Sequence, residues 1–201
     1  MTDALLSLSS LQTERRVATT LMIWLAAVVA AAGLGLLTEV PVPLFGGLVA
    51  VSIALPTAAY FALPALRTWA ERVGVRALTL LHVWRIPAAL VFFEYGAAGL
   101  LPAEFVRNAA WGDLAAGTLA ALAFTLPEWK AKYWAVHLFG FADFVVAVGT
   151  GLLLSLMAVP LMENIATFPI VLIPLFGVSL SGAAHIITLD LLRRGVYAST
   201  R

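Results

Sequence analysis

The stretch "LLHVWRIPAALVFFEYG", residues 80–96, sets His82, Arg85 and Glu94 in an otherwise apolar run. Similar intrusions recur downstream: Asn108 and Asp113, then His137 and Asp143, then Ser181 and His185. An ionisable side chain near the centre of a bilayer costs about 2.5–3.5 kcal/mol on insertion scales, so it normally faces a bundle interior and finds a partner. Imidazole titrates near neutrality and is a common metal ligand. Asp, His and Arg facing one another inside a bundle suit a proton, ion or small-solute path. Two histidines at one depth, with small residues beside them, suit b-type haem, and three suit a transition metal.

The elements that must position these groups follow from composition. The 201-residue chain is 62% hydrophobic and 11% charged, against about 45–50% and 25% for soluble domains. It reads as an all-α, polytopic transmembrane bundle. Six stretches are long enough to span: 17–37, 43–66, 77–99, 104–126, 134–159 and 169–192. Short polar or proline-marked connectors separate them, "RTWAERVGVR" among these. Pro56, Pro87 and Pro174 fall inside spans and are expected to kink them. Residues 1–16 read as a cytoplasmic or interfacial leader, 17–194 as the membrane domain and 195–201 as a cytoplasmic tail. Leu5, Leu8 and Leu11 give the leader an apolar edge. The apolar run after Arg16 is longer than a cleavable signal, which marks it as a retained first span.

Arg15, Arg16, Arg67, Arg72, Arg76, Lys130, Lys132, Arg193, Arg194 and Arg201 fall on one side of a six-span chain, and Arg107 on the other. That bias predicts both termini in the cytoplasm. Trp69, Trp84, Trp111, Trp129, Trp134 and Tyr133 lie mostly near span ends, as an aromatic belt would.

Depth follows from a rise of 1.5 Å per residue. His82, His137 and His185 come to roughly 6–10 Å from the cytoplasmic end, and Arg85, Asp113 and Asp143 to about 12–20 Å. His82 and Arg85, three apart, share a face. In the later spans the polar residues flank stripes of Gly and Ala, which mark close helix packing. Glu94 lies on the opposite face from Arg85, so Asp113 and Asp143 are the candidate partners of that arginine.

Three readings follow. The first is an ion, proton or small-solute pathway through Arg85, Asp113, Asp143, Asn108 and Ser181. The second is haem b or a transition metal on His82, His137 and His185, with Gly140 and Gly182 making room. The third is a structural or assembly subunit whose Arg/Asp/His network sets helix register. Its partners are the lipid bilayer and, through Gly/Ala-rich faces, a second copy or another membrane protein. The chain contains no cysteine, which excludes disulfides, thiolate metal sites and covalently attached haem. A net charge of +1 without a basic cluster gives no sign of nucleic-acid binding. No catalytic motif is present, and "GLGLL" and "GTGLLL" are apolar rather than nucleotide loops. An enzyme is not expected.

The segments "GLLPAEF", "AAWGDLAAG", "HLFGFADFVVAVGTG" and "FPIVLIPLFGVSLSGAAHIITLDLL" resemble a group of uncharacterised bacterial integral membrane proteins over about residues 78–194. The resemblance implies a multi-pass protein of the bacterial inner membrane. It also implies an arginine, two aspartates and a late histidine at Arg85, Asp113, Asp143 and His185. Asparagine is the commoner residue at the place of His137, which separates that histidine from the other four.

Overall fold

The computed structural model describes residues 2–196, with side chains from Leu11 onward. Leu5, Leu8 and most of the expected tail, Arg201 included, lie outside the described side chains. The described chain is all-α, with no strand. Its α-helical segments are α1 Thr2–Gly33, α2 Val42–Ala62, α3 Pro64–Leu81, α4 Arg85–Ala97, α5 Ala103–Thr125, α6 Lys130–Leu156 and α7 Val178–Arg193. A 3₁₀ turn, His82–Trp84, joins α3 to α4, so the two run on as one bent rod.

Five of the resulting six rods are long and apolar enough to cross a membrane: Leu11–Gly33, Val42–Ala62, Pro64–Ala97, Lys130–Leu156 and Ile173–Arg193. The sixth, α5, is long enough but is not among them. Glu104, Arg107, Asn108 and Asp113 dilute its apolar character. Its place is set by packing instead, for it lies along α4 on one side and α6 on the other.

The segment "RTWAERVGVR", expected as a connector, is helical. It belongs to α3, and the break falls at Gly74. Gly74 takes a φ of 77°, a conformation that glycine reaches without steric cost. Ala70 and, in part, Trp69 and Val73 cover the lower core while Arg67 and Arg72 face outward, so the segment is amphipathic rather than unstructured. Pro87 sits in the first turn of α4, where the missing N–H coincides with the end of the 3₁₀ turn. Pro174 lies in a π-helical turn, Ile173–Gly177, that leads into α7. Pro56 is inside α2.

Two main apolar cores flank a polar layer, and a small third cluster joins Ala120 and Ala123 to Val136. The larger gathers Phe45, Phe92, Phe105, Met162 and Ile170. The smaller gathers Tyr60, Val75, Tyr133, Leu191 and Leu192. Beneath the smaller core, ion pairs tie the ends of α3, α6 and α7 and the α5–α6 connection together: Arg76 to Glu128, Lys132 to Glu128, and Arg194 to Glu71 and Asp190. Tyr60 donates to Asp190 at 2.7 Å and Tyr133 to Glu128 at 2.7 Å.

Candidate functional site

Between the two cores α3, α4, α5, α6 and α7 each contribute polar side chains to one buried layer. The 3₁₀ turn turns His82 and Arg85 into it from adjacent positions on the bent rod. Arg85 donates from Nε to Asp113 Oδ1 at 2.6 Å, from Nη2 to Asp143 Oδ2, and from Nη1 to the Gly140 carbonyl at 3.3 Å. Its side chain is 3% exposed. A guanidinium so enclosed is stable only while its carboxylates stay, since losing one side of a buried pair costs about 3–5 kcal/mol.

Two glycines make the space. A Cβ on Gly112 would overlap the Asp143 carboxylate, and one on Gly140 would lie 2.5 Å from His185 Cε1 and 3.5 Å from Arg85 Nη1. Any side chain at either position would push the polar groups apart.

One turn toward the smaller core the three imidazoles meet. His82 stacks on His185 with ring centroids 3.8 Å apart, and both stand edge-on to His137. His137 Nδ1 lies 3.0 Å from His185 Nδ1, and His137 Nε2 lies 2.9 Å from Thr79 Oγ1. The Thr79 hydroxyl donates to the Val75 carbonyl at 2.7 Å. Its hydrogen is therefore spent, so Thr79 accepts from His137 Nε2–H. The lone pair of His137 is then at Nδ1, aimed at His185. One ring nitrogen from each histidine falls within 4.8 Å of the other two. All three rings are buried, and neither nitrogen of His82 has a hydrogen-bond partner among the described residues.

The family model described as Domain of unknown function (DUF8737) matches residues 41–193. The chain belongs to that family. The match takes in α2 to α7 and every residue of the polar layer, and leaves α1 outside. No curated protein and no solved structure matches the chain.

Other residues singled out in the sequence stand apart from this layer. Asn108 donates to Thr150 Oγ1 at 3.1 Å, joining α5 to α6 nearer the larger core. Ser181 accepts from Trp84 Nε1 at 2.9 Å. That bond draws Trp84 into the bundle, so this tryptophan is no part of an interfacial belt. Glu94 is exposed, away from Arg85.

The glycines expected to make room for a macrocycle face filled space. The ring of His185 occupies the face of Gly140, and Phe144 stands 2.6 Å from where a Gly182 Cβ would be. With His137 and His185 Nδ1 only 3.0 Å apart, no slab for haem lies between them. Thr79 escaped the sequence reading. Its signal was available, three residues before His82 on the same face of the helix.

Proposed function

We propose that this is a multi-pass protein of a bacterial inner membrane, with six spans and cytoplasmic termini, whose bundle holds one transition-metal ion on His82, His137 and His185. The observation that carries the metal is His82: a fully buried imidazole with both nitrogens unpartnered, set against two others. A buried polar atom left unsatisfied costs about 1–3 kcal/mol, and coordination would turn that cost into a bond. The 3.0 Å between Nδ1 of His137 and of His185 is close to the roughly 3.3 Å that two ligands on a tetrahedral Zn²⁺ would span. Thr79 supplies the outer hydrogen bond that ligating histidines usually make. A donor set of imidazoles suits Zn, Cu, Fe or Ni.

The orientation rests on the ion-paired basic end, where Arg76, Lys132 and Arg194 gather, as the cytoplasmic side of a bilayer favours. Arg85, Asp113 and Asp143 act on this reading as the support that holds His185 and the Gly140 backbone in place. A second copy or a partner would use small residues left outside, Gly33 and Gly47.

A second reading, a proton path, is favoured by the direction of the hydrogen bonds. Arg85 Nη1 lies 3.5 Å from His185 Nε2, and the line continues through His137 and Thr79 to the Val75 carbonyl.

Metal analysis of protein purified in detergent without chelator separates the two. The metal reading expects about one ion per chain, bound anew after stripping, and lost in His82→Ala. Thr79→Val should weaken affinity about 10–100-fold while the fold is kept. Protein that takes up none of Zn²⁺, Cu⁺, Fe²⁺ or Ni²⁺, yet carries protons in liposomes and stops doing so in His137→Phe, would replace the first reading with the second.

A further inference from the structure

On the side of the polar layer away from the histidines lies a cavity that the metal reading does not use. About 100 Å³ of it is open to the centre of a water molecule. Its walls are mainly apolar, with Phe45, Val49, Phe92, Phe105 and Phe144 from four helices. Ala50 of α2 and Leu152 of α6 line it and are also exposed on the outer wall of the bundle, so the cavity reaches close to that wall, where Leu152 packs over Gly46. In a bilayer that part of the wall faces acyl chains rather than water.

The inner end is polar and has unspent capacity. Asp113 gives Oδ1 to Arg85, while Oδ2 has no hydrogen-bond partner among the described residues. Ser181 accepts from Trp84, and no hydrogen bond among the described residues uses its own O–H. Asp113 and Ser181 thus bring one acceptor and one donor to a cavity whose lining is otherwise mainly hydrocarbon, with Arg85 and Ser155 as its other polar residues and the Ser155 hydroxyl held by the Gly151 carbonyl. Arg85 at the same end already faces two carboxylates, so an anionic head finds no unbalanced positive charge there. Trp84 is fixed as a wall, for its indole fills the face of Gly177 and its N–H is held by Ser181.

We propose that this cavity binds an uncharged, chain-bearing molecule with a hydroxyl head, taken up from the bilayer between α2 and α6. The hydroxyl gives its hydrogen to Asp113 and accepts from Ser181, and the chain lies among the phenylalanines. A chain leaving lipid tails gains nothing from burial alone, so close packing among the phenylalanines and the two hydrogen bonds supply the affinity, and the polar groups fix which end enters. The inference rests on the membrane placement and not on the metal.

The test uses the full chain in lipid nanodiscs and reads thermal unfolding against added dodecan-1-ol, dodecane and dodecanoate. Dodecan-1-ol should raise the Tm saturably, with an apparent affinity at least tenfold above that of dodecane, and dodecanoate should give no saturable rise. Ala147→Phe, which fills the cavity without touching the ion pairs, should abolish the response. Val49→Phe on the opposite wall does the same if Ala147→Phe fails to fold, and Gly149→Phe on the outer face of α6 should leave the response intact. His82→Ala should also keep it, which separates this inference from the metal site. A response that does not saturate, that dodecanoate matches, or that survives both cavity-filling variants would overturn the proposal.

Discussion

Helices α1 and α7 belong to spans of similar hydropathy, yet they sit in opposite surroundings. Of the most apolar 18 residues in the α1 span 6% are buried, against 67% in the rod Ile173–Arg193 that ends in α7. α1 exposes Met22, Ile23 and Val29 and touches mainly α3 and the turn before α7. α7 buries Ser179, Ser181, Gly182, Ala183, Ala184 and His185. The more apolar surface is outside and the smaller, more polar one inside, the reverse of a soluble domain. Lipid tails are as apolar as leucine, so leucine gains nothing by leaving them. Close packing and hydrogen bonding decide instead which helix takes the centre.

The largest effect that would break this contrast is loss of the central arginine. Arg85→Ala leaves Asp113 and Asp143 facing each other in the core and should cost about 3–5 kcal/mol, read as a lowered Tm or as failure to extract folded protein. Glu94→Ala, on the exposed face of α4, should stay within about 0.5 kcal/mol. Equal losses from the two would mean that the inward face carries no special burden.

A sharper version keeps the helix and the substitution constant. Gly140→Ala puts a methyl group where the edge of His185 lies, and overpacking of this kind costs about 1–3 kcal/mol. Gly149→Ala meets nothing within 4 Å and should be neutral or stabilising by up to about 1 kcal/mol, since alanine favours helix. Chemical unfolding of the two variants in mild detergent measures the difference.

The smallest effect lies at the ion-paired end. The Tyr133 hydroxyl, followed by Lys132 and Arg76, holds the Glu128 carboxyl below the ordinary glutamate range. The stability this provides is present above the usual glutamate pKa and is lost as pH falls through the depressed one. Glu128→Gln should therefore flatten the acid side of the Tm profile slightly, because the group is exposed and screened.

How far the site could be read beforehand differs from residue to residue. Arg85, Asp113 and Asp143 could be set on inward faces because helical periodicity is local and small-residue stripes mark the packed side. Ser181 shares the face of His185 but pairs with Trp84, for face alone does not fix the neighbour, while Asn108, about 140° around α5 from Asp113, pairs with Thr150. The segment at residues 67–76 reads as a connector because its charges outweigh its buried Ala70 and half-buried Trp69 in hydropathy. The room expected beside Gly140 and Gly182 is filled by His185 and Phe144, which no periodicity predicts.

By itself the sequence determined an all-α chain, apolar rods of spanning length, and the helices that carry ionisable groups, since composition and period act within a single helix. Only the tertiary structure decided that the His82 ring stacks on His185, that Thr79 fixes the tautomer of His137, and that neither nitrogen of His82 finds a hydrogen-bond partner among the described residues. Each of these depends on the rotation and register of one helix against another, where a single residue changes the direction of a side chain by about 100° and its height by 1.5 Å.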